Sequence, residues 1–166
     1  MLEGFTDSDM SGDVDSNRST SGYVMTYPGG VVSWPSRLKK VVVLSTTKAE
    51  YMAAMEAEKE LIWMRDFLSE LRMKQEKILL HCDNQSAIHL AKNDAYHSCT
   101  KHIQRRYHWS RERVGENEFF LAKIHTDDNE PTMLTKMLSM EKLIACRRKT
   151  GLVDSPHTRV KGEFVV

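Results

Sequence analysis

Three carboxylates stand out in this 166-residue chain for where they fall: Asp7 in Phe5-Thr6-Asp7-Ser8-Asp9, Glu50 in Thr47-Lys48-Ala49-Glu50, and Asp83 in Cys82-Asp83-Asn84. Carboxylates gathered in a fold repel one another and are tolerated mainly where a hard divalent cation offsets their charge. If the three converge, a magnesium site follows. Each also has a purely structural alternative: Glu50 as the N3 member of a capping box opened by Thr47, Asp83 as a helix N-cap, and Asp7 as one of several turn carboxylates. A rival metal reading starts at Asp7, where Asp7, Asp9, Gly12 and Val14 occupy positions 1, 3, 6 and 8 of a calcium-binding EF-hand loop. Position 12 is then Arg18 in place of the bidentate Glu, and only six residues precede Asp7, too few for an entering helix. His97, Cys99 and His102 sketch a soft-metal site with no fourth ligand at a regular spacing, so zinc is disfavoured.

The elements that must position these groups are readable from periodicity. Residues 2 to 9 read as a strand, and Gly22 to Tyr27, Val31 to Trp34 and Val41 to Leu44 as three more, with Pro28-Gly29-Gly30 a turn and Pro35 an interruption. From Ala49 the apolar spacing becomes helical and continues to Leu71 without Gly or Pro. Ile78 to Cys82 is a buried-strand candidate, Asp83 to Ser86 opens a short helix reaching about Lys92, and Lys101 to Val114 is a second helical stretch. Glu118 to His125 reads as a final strand and residues from about Thr132 to Lys149 as a last helix. The order predicts a mixed α/β domain with one sheet covered by helices, spanning residues 1–151, followed by a loose tail, 152–166.

Composition narrows the function class. With 24 basic and 23 acidic side chains and 40% hydrophobic residues, the chain has the makeup of one ordinary globular domain. Three cysteines, Cys82, Cys99 and Cys146, at wide spacings argue against a disulfide framework. No apolar run approaches the roughly 20 residues that span a bilayer, and no secretory leader is evident, so an intracellular site of action with no membrane partner is expected. The balanced charge is unevenly spread: Asp7, Asp9, Asp13 and Asp15 crowd the start, while Lys101, Arg105, Arg106, Arg111 and Arg113 are interleaved with His102, Tyr107, His108 and Trp109. An acidic site at one place and a basic aromatic strip at another suit a metal-dependent enzyme acting on a polyanion.

The motifs Phe5-Thr6-Asp7-Ser8-Asp9, Arg18-Ser19-Thr20-Ser21-Gly22-Tyr23, Leu44-Ser45-Thr46-Thr47-Lys48-Ala49-Glu50-Tyr51, Cys82-Asp83-Asn84-Gln85-Ser86-Ala87-Ile88, Thr100-Lys101-His102-Ile103, Arg106-Tyr107-His108 and Met133-Leu134-Thr135-Lys136 occur in this order. Together they closely resemble the ribonuclease H domain of plant copia-type retrotransposon Pol polyproteins, over about residues 4 to 151. The resemblance implies a ribonuclease H-like fold with a five-stranded mixed sheet and helices on both faces. It implies an endonuclease cleaving the RNA strand of RNA–DNA hybrids, alongside the reverse transcriptase portion of the same polyprotein. Asp7, Glu50 and Asp83 match three of the family's four acidic ligands for two Mg2+ ions, which Mn2+ can replace. Asn84 and Gln85 are expected to contact the hybrid, and Lys101, Arg105 and Arg106 its phosphates.

The chain also departs from the family pattern. Thr132 stands where the family's fourth aspartate is expected, three residues after Asn129 and just before Met-Leu-Thr-Lys. A neutral hydroxyl is a poor Mg2+ ligand, so weaker metal binding is expected unless Asp127, Asp128 or Glu130 replaces the charge. The alternative is an inactive nucleic-acid-binding remnant of the same domain.

Overall fold

The computed structural model describes residues 1–10, 12, 13, 15, 17–28, 30–40, 42–92 and 119–151. Strand β1, Leu2–Asp9, lies at the middle of the sheet. It pairs antiparallel with β2, Thr20–Tyr27, and parallel with β5, Ile78–Cys82. β2 continues to β3, Gly30–Ser33, and β5 to β6, Phe119–Lys123, giving the order β3-β2-β1-β5-β6. A sixth short strand, β4, Ser36–Leu38, also pairs with β2, opposite Thr20 to Gly22. Pro35 separates β3 from β4, as its missing N–H leads one to expect at a sheet margin. The mixed sheet of the expected fold is therefore present with this extra strand. Val42 to Leu44 form no strand; Val43 is buried while Leu44 stands exposed in the loop before the first helix.

The long helix α1, Thr46–Glu70, packs along the sheet with Ala53, Ala57, Leu61, Met64 and Leu68 inward. Its close approach is set at Gly4, where a Cβ would stand 2.8 Å from Leu61 Cδ1 and 2.8 Å from Met25 Sδ. The helix begins one turn earlier than the apolar spacing suggests, because the Ser45 side chain accepts a hydrogen bond from the Lys48 N–H at 3.2 Å. Ser45 is thus the N-cap and no capping box opens at Thr47. Helix α2, Gln85–Lys92, follows β5.

After β6 a 3-10 turn, Thr126–Asp128, leads to a single helical turn, α3, Thr132–Thr135, and then to α4, Met140–Lys149. The single last helix expected from Thr132 is broken: Lys136 is extended, and Ser139 caps α4 anew by accepting from Lys142 N–H. α3 packs on the side of the sheet away from α1. A Cβ on Gly22 would lie 3.0 Å from Leu134 Cβ and 3.0 Å from Thr135 Cγ2, and Gly22 is the cross-strand partner of Asp7. The bare glycine lets α3 settle beside Asp7. Residues 93–118 and 152–166, which include the expected helix from Lys101 and the tail, lie outside the described residues.

Candidate active site

The parallel pairing of β1 with β5 sets Thr6 opposite Cys82, so the next residue on each strand is an aspartate: Asp7 and Asp83. Parallel strands carry equivalent positions side by side, and the two residues are neighbours in the backbone for that reason. Glu50, buried on the first turns of α1, joins them. One of its oxygens, Oε1, accepts the Ser8 N–H at 3.1 Å. The other, Oε2, is buried and makes no hydrogen bond among the described residues. Glu50 lies beyond the cap of its helix, so its carboxylate is spent on the sheet and not on the helix end.

Electrostatics register this crowding. Burial, and then the charges of Asp7 and Asp83, push the Glu50 carboxyl from its ordinary 4.5 up to about 8. Carboxylate oxygens of Glu50 and Asp83 and the Cys82 Sγ lie within 4.8 Å of one another, a spacing that an ion could bridge. Asp7, with no exposed surface, stands beside this group but is held from the far face. Lys136 Nζ lies 2.9 Å from its Oδ1, and Thr135 Oγ1 donates to its Oδ2. Burial lowers the Lys136 pKa, but Asp7, its hydrogen bond, Glu50 and Asp83 outweigh this and raise it, so the ammonium stays charged. The Met-Leu-Thr-Lys motif therefore positions Asp7. Its spacing was visible in the sequence, its target was not.

Replacing Lys136 by Met leaves the buried Asp7 carboxylate without its cation. Because a third of the lysine side chain is exposed, the pair is partly screened. A loss of about 1 to 2 kcal/mol in metal-free stability is expected, and chemical denaturation measures it. Added Mg2+ should restore most of the loss.

Asn129 anchors the segment leading to α3: fully buried, it donates from Nδ2 to the Thr6 carbonyl at 2.9 Å. Thr132, the first residue of α3, is buried with its Oγ1 unpartnered among the described residues. Thr132 and Thr135 stand three apart in α3 and so share a face, Thr135 donating to Asp7, while Lys136 is extended just beyond the helix. None of the acids expected to compensate for it reaches the group. Asp127 and Asp128 are exposed and pair with Lys142 and Lys149. Glu130 is buried, and the charges that act on it are Lys149 and Glu3.

The remaining expectations divide. Asn84, expected on substrate, caps α2: its Oδ1 accepts the Ala87 N–H at 2.9 Å. Asp83 is therefore not the N-cap. Gln85 is exposed at the start of α2. His125 lies two residues beyond the end of β6 and accepts from the Asp127 N–H. Lys101, Arg105 and Arg106, with His97, Cys99 and His102, lie outside the described residues. The EF-hand alternative fails, since Asp7 and Asp9 belong to a strand of the sheet.

No protein-family model matches the chain. The Pol polyprotein of the tobacco transposon TNT 1-94 (Nicotiana tabacum) is 48% identical over 152 residues, covering 92% of this chain. The chain is similar to a segment of plant retrotransposon Pol polyproteins and has the ribonuclease H fold. It spans 11% of the length of that relative. Among solved structures, LC11 ribonuclease H1, determined with an RNA/DNA hybrid, superposes with a TM-score of 0.55 at 14% identity over 78% of this chain and 88% of its own. The protease-reverse transcriptase of prototype foamy virus superposes with a TM-score of 0.53 at 16% identity, over 99% of this chain and 21% of its own. The ribonuclease H fold is thus shared well beyond detectable sequence similarity. Among the described residues no helix is long and apolar enough to cross a membrane.

The residues present suit a divalent cation. The donors are carboxylate oxygens, which hard cations prefer. One of them, Glu50 Oε2, is buried without a partner among the described residues, and the carboxyl is pushed up to about 8 first by burial and then by the charges of Asp7 and Asp83.

Proposed function

We propose that this chain is an endonuclease that cuts the RNA strand of RNA–DNA hybrids, with Asp7, Glu50 and Asp83 holding two divalent ions, Mg2+ or Mn2+. The observation that supports this most directly is the approach of Glu50 and Asp83 carboxylate oxygens to within 4.8 Å, with the Asp7 charge acting on Glu50 and one Glu50 oxygen buried and unpartnered among the described residues. Such ions would activate the attacking water and stabilise the departing 3′ oxygen. The protein's part is placement. Ser8 N–H orients Glu50, Thr135 and Lys136 orient Asp7, and the register of β1 with β5 sets Asp83 beside it. Asn84 serves by capping α2, which presents Gln85 toward solvent, where it can reach a 2′-hydroxyl of the RNA strand. Lys101, Arg105 and Arg106 add salt-sensitive phosphate contacts. The hybrid arises from the reverse transcriptase portion of the same polyprotein.

The test is incubation with a hybrid labelled on each strand, in Mg2+ and in Mn2+. Cleavage of the RNA strand alone, leaving 5′-phosphate and 3′-hydroxyl ends, is expected. Binding without cutting under both metals overturns the nuclease and leaves the second reading, a nucleic-acid-binding remnant. That second reading is favoured by one observation: the neutral, buried Thr132 at the start of α3, on the face that carries Thr135.

A further inference from the structure

The acidic group contains a donor that a magnesium site does not use. Cys82, fully buried at the end of β5, places its Sγ within 4.8 Å of oxygens from both Glu50 and Asp83. That sulfur also donates a long hydrogen bond, 3.9 Å, to the Asn84 carbonyl. Glu50 Oε2, in the same group, is more than nine-tenths buried and unpartnered among the described residues. Two hard oxygens and one soft sulfur make a mixed donor set, and thiolate sulfur selects Zn2+ and Cd2+ over Mg2+. Donors about a tetrahedral Zn2+ stand roughly 3.3 to 3.8 Å apart, given bonds of about 2.0 to 2.3 Å, so closure of about an ångström completes the site.

We propose that Cys82, Glu50 and Asp83 together form a thiophilic metal site, which takes Zn2+ or Cd2+ and thereby blocks the Mg2+ position. The inference rests on the reading of this acidic group as a metal site. Binding breaks the Cys82 S–H bond and forms a sulfur–metal bond. The thiol proton passes to solvent, joined below about pH 8 by the Glu50 carboxyl proton, no electrons are transferred, and solvent completes the coordination.

The probe is CdCl2 alone, added to protein in which Cys99 and Cys146 are replaced by Ser, so that Cys82 is the one thiol remaining of three. An ultraviolet sulfur-to-cadmium charge-transfer band saturating at one ion per chain is expected. Cys82→Ser should abolish the band. Glu50→Gln, which retains the thiol, should weaken cadmium binding by about tenfold or more. Absence of the band, or Cd2+ binding unchanged in Glu50→Gln, overturns the proposal. If the cysteine-depleted protein does not fold, the same two readouts apply to Glu50→Gln in the unaltered chain, with Cd2+-induced thermal shift added. Hybrid cleavage in Mg2+ is scored separately. Cleavage without the band overturns the thiophilic site and leaves the nuclease, whereas the band without cleavage supports the thiophilic site and tells against the nuclease.

Discussion

Glu50→Gln is expected to lower hybrid cleavage by about a thousandfold, or about 4 kcal/mol of barrier, while making the metal-free protein more stable at alkaline pH. The two effects have one origin. Glu50 keeps its proton up to about pH 8 in the fold, against 4.5 when free of it. Between those values the folded chain binds more protons than the unfolded one, so stability falls as pH rises. The contribution is complete below the lower value and lost as pH passes the upper one. A shift from 4.5 to about 8 is equivalent to about 5 kcal/mol, an upper bound because burial relaxes when a charge forms. Glutamine does not ionise, so the variant's melting temperature should hold across that window while the wild type's declines. Mg2+ should reverse the wild-type decline, most strongly at the alkaline end, and leave the variant nearly unchanged. A wild type whose stability tracks the variant's at every pH overturns the assignment of Glu50 as the buried, repelled member of the group. Differential scanning calorimetry with and without Mg2+ reads both arms.

That result would also explain which parts of the site were legible in the sequence. The three carboxylates were findable because each sits beside a structural boundary: Asp7 on β1, Glu50 near the start of α1, and Asp83 just after β5. Residue type and periodicity mark such boundaries. What separated a carboxylate group from two local caps and a turn residue was tertiary, and the caps turned out to be Ser45, two residues before Thr47, and Asn84, one residue after Asp83. Capping chemistry is degenerate, since several neighbouring Ser, Thr, Asp and Asn residues offer the same oxygen. The strand expected at Val41 to Leu44 failed for a related reason. Three valines and a leucine suit a strand or a buried loop equally, and β2 already had β3 and β4 on that side. The last helix broke between Thr135 and Met140 because Lys136 is drawn to Asp7 and leaves helical geometry, a pull exerted by a residue 129 positions away. Cys82 read as core by type and is core by burial, and its nearness to Glu50 depends on the packing of α1 alone.

Thr132→Asp is the complementary prediction, a gain where Glu50→Gln is a loss. Position 132 opens α3 and is buried, its N–H already bonded to the Asn129 carbonyl. It shares a face with Thr135, which donates to Asp7, and Lys136, extended just beyond the helix, also binds Asp7. A carboxylate there adds a fourth anionic donor to a group whose charge the described residues do not neutralise. Two opposed outcomes follow from the same charge. Without metal, the variant should melt lower than the wild type, since the new carboxylate is buried beside Asp7 and shares its one lysine. With Mg2+, metal affinity should rise about tenfold and cleavage about a hundredfold, the scale on which ligand-shell changes act. Thr132→Asn separates charge from size: it should reproduce neither the destabilisation nor the gain. Isothermal titration with Mg2+ and single-turnover cleavage of a labelled hybrid measure the two quantities independently. Unchanged metal affinity in Thr132→Asp, with the stability drop present, means that the added carboxylate is buried but does not face the ions. Lys136 then has to be the residue that keeps α3 turned away, and Thr132→Asp combined with Lys136→Met should recover the gain.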